Sequence, residues 1–303
     1  MYRSDLSVNL GGVTLKNPVM PASGTYDYFD CNANVFPMSD LGAIMIKSVH
    51  RHPRGGNPAP RIVETVGGMI NAVGIPSQGI EAFMEQDLEH YRQLHTPIVL
   101  SLSGSQAEDY EQSVQIVADD PRIAALELNL SCPNVGSGLP FSSDTGILAN
   151  VVARVRRQTK LPLWVKLTPN VTDGRLTAKA AEDAGADAVV LSNTFRAMKI
   201  DIHARKPVLG NISGGLSGPA IKPQNMFLVY QAFETVKIPI IACGGISCWQ
   251  DAVEYFLAGA AAVQVGCCNF TNPMCMSEVI QGIDRYLCDN GYSSIREIRG
   301  IAH

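Results

Sequence analysis

The chain has 303 residues, with 24 Lys and Arg against 28 Asp and Glu, a formal charge of −4 and 46% hydrophobic residues. That length can bury a full core, either as one barrel-sized domain of ~250 residues or as two smaller ones. The mild acidity and the lack of any Lys/Arg-rich run argue against nucleic acid as a partner, because phosphate backbones are bound by clustered positive charge.

In chain order, Leu6–Leu15 with its central Gly11-Gly12 reads as a short N-terminal β-hairpin. Short apolar, β-branched runs then alternate with amphipathic stretches. The predicted strands are Pro18–Pro21, Ala43–Lys47, Pro97–Ser101, Ala125–Asn129, Leu163–Lys166, Ala188–Ser192, Pro239–Ala242 and Ala262–Val265. Helices are expected over Ile80–His95, Ala107–Asp119, Asn150–Thr159, Leu176–Ala184, Asn225–Val236, Cys248–Ala258 and Met274–Asn290. Gly42, Gly185 and Gly259 each precede a strand, where a helix ending in the left-handed conformation needs glycine. Ser105-x-x-Glu108 and Ser247-x-x-Gln250 fit capping boxes. Eight βα units with no linker predict an α/β protein, a single (β/α)8 TIM barrel over residues 1–303; an open doubly wound sheet is the alternative. His50–Met69 and Phe195–Gly218 are long loops after strands 2 and 6, and long loops in compact domains are commonly functional.

No apolar run approaches the ~20 residues of a membrane helix, and Met1–Leu6 shows no leader pattern, so the expectation is a cytoplasmic protein with no membrane partner. The eight cysteines are scattered and are read as free thiols. No Cys-x-x-Cys or His-Glu-x-x-His spacing occurs, so no metal or iron–sulfur site is expected within this chain.

In a barrel the site is built at the carboxyl ends of the strands. There the sequence places Ser23, Lys47-Ser48, Ser101, Asn129, Lys166, Asn193-Thr194, Gly244-Gly245 and Gly266-Cys267. Two lysines, Lys47 and Lys166, with no acid at the other strand ends point to an anionic ligand. Glycine-rich turns after strands 7 and 8, together with Gly214-Gly215-Leu216-Ser217-Gly218, point to a phosphate held by backbone N–H groups. Asn129-Leu130-Ser131-Cys132-Pro133-Asn134-Val135 is the densest polar cluster, and Cys132 is the predicted nucleophile or base. Cys31, Cys243, Cys248, Cys275 and Cys288 are read as small buried hydrophobes. A non-redox phosphate-binding barrel with Lys166 as a Schiff base stays open on these residues alone.

Residues 129–135, Val-Lys-Leu-Thr-Pro-Asn (165–170), Ser-Asn-Thr (192–194), Gly-Gly-Leu-Ser-Gly-Pro-Ala-Ile-Lys-Pro (214–223) and Asn-Pro-Val-Met-Pro-Ala-Ser-Gly-Thr (17–25) resemble class 1 dihydroorotate dehydrogenases, in order and spacing, over essentially the whole chain. The resemblance implies an FMN-containing (β/α)8 barrel that oxidises dihydroorotate to orotate in pyrimidine biosynthesis. Cys132 would be the base that removes a C5 proton while hydride leaves C6 for the flavin. Lys47, Asn71, Asn129, Asn134, Asn193 and Thr194 would bind substrate, with Ala72, Val73, Gly74 and Ile75 adding backbone contacts. Ser23, Lys47, Ser48, Ser101, Asn129, Lys166 and Ser192 would line FMN, and Gly218, Gly244, Gly245, Gly266 and Cys267 would approach it through backbone. Residues 198–209 and 263–266 resemble subclass 1B, which implies a homodimer core joined to a subunit carrying FAD and a 2Fe-2S cluster, with NAD+ as acceptor. Subclass 1A, a fumarate-reducing homodimer, is the alternative. Ser101 stands where the family usually has Asn, Cys267-Cys268 replaces a usual Thr-Ala, and Pro76-Ser77-Gln78 departs from the usual Gln-Asn-Pro. A dihydrouridine synthase, the other flavin-barrel reading, calls for a basic face that a −4 chain lacks.

Overall fold

A computed structural model describes residues 3–29, 32, 34–131 and 140–303. Its centre is a parallel sheet of eight strands: β1 (Val19–Pro21), β2 (Ile44–Met45), β3 (Ile98–Ser103), β4 (Ala125–Asn129), β5 (Leu163–Lys166), β6 (Ala188–Leu191), β7 (Ile240–Cys243) and β8 (Ala262–Val265). They neighbour one another in chain order, with β8 beside β1. The Gly42 N–H donates to Val19 O at 2.9 Å, so backbone hydrogen bonding joins β1 to the residues leading into β2 and the sheet closes as a TIM barrel. Every residue of β3 through β8 is buried, as expected for parallel strands covered on both faces.

The second strand is shorter than its apolar run. After Ile46, whose N–H still donates to Val99 O at 2.9 Å, the chain leaves the ladder: the Ser48 N–H bonds to Ser23 Oγ at 2.8 Å instead of a strand carbonyl, and pairing with β3 resumes at Val49–His50. This break turns Lys47 and Ser48 toward the mouth of the barrel.

Helices follow the strands from β2 onward: an irregular α1 (Ile80–Ala82, a π-turn at Phe83–Asp87, then Leu88–Arg92), α2 (Ala107–Val117), α3 (Thr145–Arg156), α4 (Gly174–Asp183), α5 (Lys222–Phe233), α6 (Trp249–Leu257) and α7 (Cys275–Asp289). Among the described residues the first connection carries only a 3-10 turn, Met38–Asp40. Helix α3 begins five residues before its predicted start because Asp144 caps it by accepting from the Ile147 N–H at 2.9 Å, so Gly146 lies inside the helix. Both capping boxes lie one residue later than their sequence motifs. Asp109 accepts from the N–H groups of Ser105 and Gln106, and Asp251 from those of Ser247 and Cys248, while Glu108 pairs with Arg154 at 2.6 Å. Gly185 and Gly259 have the expected positive φ, 100° and 107°. Gly42 does not: it is required by close approach, since a Cβ there would lie 2.2 Å from Asn17 O.

The N-terminal hairpin, Val8–Leu10 paired with Val13–Leu15, underlies the barrel, with Trp164 Nε1 donating to Leu10 O at 3.2 Å. The two long loops are not irregular. Phe195–Ala197, Gly214–Ser217, Gly68–Asn71 and Ile62–Thr65 form one four-stranded sheet that ties the excursion after β2 to the one after β6. Gly214-Gly215 is therefore strand, not phosphate turn: a Cβ at Gly215 would lie 1.9 Å from Thr194 Oγ1, and one at Gly214 would lie 2.4 Å from Asn71 O. Among the described residues no helix is long and apolar enough to cross a membrane.

Candidate active site

The carboxyl ends of the strands and the overlying four-stranded sheet enclose a cavity of about 260 Å³, well beyond the ~30 Å³ share of one water. Ser23, Lys47, Ser48, Asn71, Val73, Gly74, Ile75, Asn129, Lys166, Ser192, Asn193, Thr194, Gly218, Gly244, Gly245, Gly266 and Cys267 all line it. Among the described lining residues there are two lysines and no carboxylate, a donor set suited to an anion. Cys132 and Asn134 lie outside the described residues.

Two predicted residues face elsewhere. Ala72, expected to offer backbone contacts, turns its methyl into a small apolar cluster with Ile70 and Leu209, and its N–H and C=O are engaged by Arg61 O at 2.7 Å and Asn57 Nδ2 at 3.1 Å. Ser101 is fully buried beneath the floor, where its hydroxyl meets Ser48 Oγ at 2.8 Å and Glu127 Oε1 at 3.3 Å. Its direct hydrogen bond to a lining residue is the one to Ser48.

The floor is one hydrogen-bonded assembly. Asn193 Nδ2 donates to Asn129 Oδ1 at 3.1 Å, and Asn129 Nδ2 donates to Ser48 Oγ at 3.1 Å. Tyr110 from α2 holds the Asn129 carbonyl at 2.8 Å. Across the barrel, Lys166 Nζ donates to Gln264 Oε1 at 2.8 Å and contacts Cys243 Sγ at 3.4 Å, while Gln264 Nε2 donates to Glu127 Oε2 at 2.6 Å. Burial acts to lower the Lys166 pKa, Cys243 and Glu127 act to raise it, and the net shift is upward. Burial outweighs Lys166 at Cys243 and pushes that thiol up. Lys47 is different: its Nζ donates to Pro76 O at 2.6 Å, among the described residues it has no carboxylate partner, and burial lowers its pKa.

At the other end, Asn225 of α5 fixes the turns that follow β6 and β7. Its Nδ2 meets Leu191 O, Cys243 O and Tyr255 Oη at 3.0–3.1 Å, and Ser192 Oγ donates to its Oδ1 at 2.6 Å. Tyr255 in turn donates to Gly244 O at 2.7 Å. Gly244 and Gly245 have φ of 147° and 71°, and a Cβ at Gly245 would lie 2.6 Å from Lys222 Cβ. This glycine cradle, with Gly218, Gly266 and Cys267, gives a phosphate a backbone-lined seat beside the start of α5. The cradle, Lys166 and the polar floor together suit a cofactor of the FMN kind, for which the cradle would supply backbone donors to a phosphate and Lys166 a charged donor to a polar ring.

Glu127, Gln264, Asn225 and Tyr255 were not singled out from sequence. Glu127 and Gln264 each put a polar side chain between apolar neighbours in a fully buried strand, which is the signal that marks them. Cys243 is not only a core filler: it lines the cavity against Lys166.

A family profile described as dihydroorotate dehydrogenase matches residues 5–287. The chain is similar to proteins named dihydroorotate dehydrogenase B (NAD(+)), catalytic subunit. It is 46% identical over 299 residues to that of Pelobacter propionicus, covering 98% of both chains. It is also 46% identical over 301 residues to those of Geotalea daltonii and Alkaliphilus metalliredigens, covering 99% of each chain.

Proposed function

The chain belongs to the dihydroorotate dehydrogenase family, and from that premise we propose that it is the FMN-binding catalytic subunit of a B-type enzyme, oxidising dihydroorotate to orotate. The observation that carries this reading is the carboxylate-free, two-lysine cavity whose floor runs through Asn129, three residues before Cys132.

Bound FMN supplies the acceptor for hydride from C6 of the substrate. The Lys47 ammonium binds the substrate carboxylate, a charge-assisted pairing that no competing carboxylate in the described lining disturbs. Asn71, Asn129, Asn193 and Asn134 present both donors and acceptors to the carbonyl and N–H groups of the ring. Thr194 is held by its N–H to Asn193 Oδ1 at 2.8 Å, which also fixes that amide. Cys132 takes the C5 proton on Sγ. An ordinary thiol is only a few per cent thiolate at neutral pH, so the site must lower its pKa or the rate must rise with pH. Lys166, Ser48, Ser23 and Ser192 would hold the flavin, and the glycine cradle would hold its phosphate. The four-stranded sheet over the mouth limits water at the reacting atoms. A partner subunit carrying FAD and an iron–sulfur cluster would supply the route from this site to NAD+.

The test is an anaerobic absorbance spectrum of the purified chain before and after dihydroorotate, then with NAD+ or fumarate. Bleaching of a flavin band, with recovery by NAD+ only once the partner is added, is the expected result. Recovery by fumarate alone assigns the chain to the A type, and a flavin band that dihydroorotate leaves unbleached refutes the substrate. Cys132→Ser should lose most flavin reduction at neutral pH; near-wild-type reduction would remove Cys132 from the role of base.

A further inference from the structure

Glu127 is a carboxylate with no exposed surface in the middle of the barrel, and the chemistry described above makes no use of it. Two hydrogen-bond chains end on it. One runs from Lys166 Nζ to Gln264 Oε1, and from Gln264 Nε2 to Glu127 Oε2. The orientation of that amide is forced, because an ammonium has no acceptor and a carboxylate no donor. The other chain starts at Asn193. It passes through the Asn129 amide to Ser48 Oγ and on to Ser101 Oγ, which donates to Glu127 Oε1. In this second chain each member donates toward the carboxylate. Both chains thus end on one acceptor-only group, with donors fixed at their far ends by the Lys166 ammonium and by the Thr194 N–H on Asn193 Oδ1 at 2.8 Å.

We propose that Glu127 is a positioning residue for the cavity floor: it anchors Lys166 through Gln264 and Asn129 through Ser48 and Ser101, and it cancels the Lys166 charge beneath the ligand. With Glu127 in place the buried interior holds a neutral pair, so negative charge gained by a reduced ligand above Lys166 receives only part of that cation's attraction. The consequence is a lower reduction potential than a free buried ammonium would set. A glutamine at this position offers two N–H donors, so it can set an N–H against the Ser101 hydroxyl and reverse the Ser48–Ser101 step, leaving Asn129 with a poorer acceptor, as well as expose the lysine charge.

The inference rests on the reading of the chain as an FMN enzyme, and its test is arranged to fail separately. The flavin potential is measured by dye-equilibrated reduction of the holoenzyme without dihydroorotate. Glu127→Gln should favour reduced flavin at least tenfold, about 30 mV for a two-electron couple, whereas Glu127→Asp, which keeps the charge, should stay within threefold. Ser101→Ala cuts only the asparagine arm and should raise the dihydroorotate KM about tenfold at an unchanged potential. Gln264→Met cuts only the lysine arm and should weaken FMN binding about tenfold. Wild-type potential and KM in folded Glu127→Gln overturn the proposal, as does an Asp variant as impaired as the Gln variant. Should Glu127→Gln fail to fold, the two single-arm variants decide: wild-type values in both overturn it. A chain that holds FMN and shows these shifts, yet is not reduced by dihydroorotate, keeps the role of Glu127 and loses the substrate; a chain that takes up no FMN refutes both.

Discussion

Replacing Gly245 by Ala tests the cradle directly. Gly245 has φ of 71°, and an added Cβ would lie 2.6 Å from Lys222 Cβ and 2.8 Å from Lys222 Cα and N. Those atoms cannot retreat easily, because Lys222 opens α5 and its Nζ is bound to Asp251 at 2.6 Å and Glu254 at 3.0 Å. Two costs add. The left-handed conformation costs an L-residue roughly 1–2 kcal/mol, and forced overpacking costs roughly 1–3 kcal/mol more, so the substitution should destabilise by about 2–5 kcal/mol. Gly291 is the internal control: its φ is 76° and nothing lies within 4 Å of its Cβ position, so Gly291→Ala should cost only the conformational ~1–2 kcal/mol. Urea denaturation of both variants, with FMN titrated into each by fluorescence quenching, separates the effects. Gly245→Ala should be the less stable and should also bind FMN more weakly, while Gly291→Ala binds it normally. Equal stability losses would refute the argument from Lys222 overlap, and unchanged FMN affinity in Gly245→Ala would remove Gly245 from the phosphate seat.

Lys47 binds an anion only when protonated, and burial lowers its pKa from 10.5, so kcat/KM should fall on the alkaline side before an ordinary lysine titrates. Lys47→Met should abolish that limb and weaken substrate binding by roughly 1.5–3 kcal/mol, about 10–150-fold; a surviving limb would assign it to another group. Burial raises the Asp251 pKa, but the Lys222 ammonium and the Ser247 N–H and O–H outweigh it, and the net shift is below 3.8. A depressed carboxyl stabilises the fold above its unfolded pKa and loses that contribution as pH falls through the folded one. Asp251→Asn should therefore be less stable by about 1–3 kcal/mol at pH 7, and acid titration of unfolding should close the gap below pH 3.8; a gap constant with pH would contradict the ionic account. Trp164→Phe leaves Leu10 O without its buried donor, and thermal unfolding should report a loss of about 1–3 kcal/mol, with flavin binding intact because the hairpin lies at the opposite end of the barrel.

The positions lining the cavity were largely legible because barrel geometry converts strand ends into site positions, and strand ends can be counted from apolar runs. Lys47, Asn129, Lys166 and Asn193 were reached in that way. Ala72 was not separable from Asn71 and Val73, since only the pairing of Gly68–Asn71 with Gly214–Ser217 decides which residues face inward. The strands in the long loops escaped notice because they are short, and because the pairing that joins the two loops, Gly68–Asn71 with Gly214–Ser217, is between segments more than a hundred residues apart. Glu127 escaped a search of strand ends because it sits two residues below the end of β4.

Local pattern by itself determined the eight strands, most of the helices, the hairpin and the two lysines, because each depends on periodicity or turn chemistry within a few residues. Only the tertiary structure decided what those lysines face. Lys47 is left without a carboxylate among the described residues, whereas Lys166 is tied through Gln264 to Glu127 across the barrel. Strand sequences give the direction in which each side chain points, but whether two inward groups meet depends on the closure of the barrel and on register, and those are set by packing of the whole core.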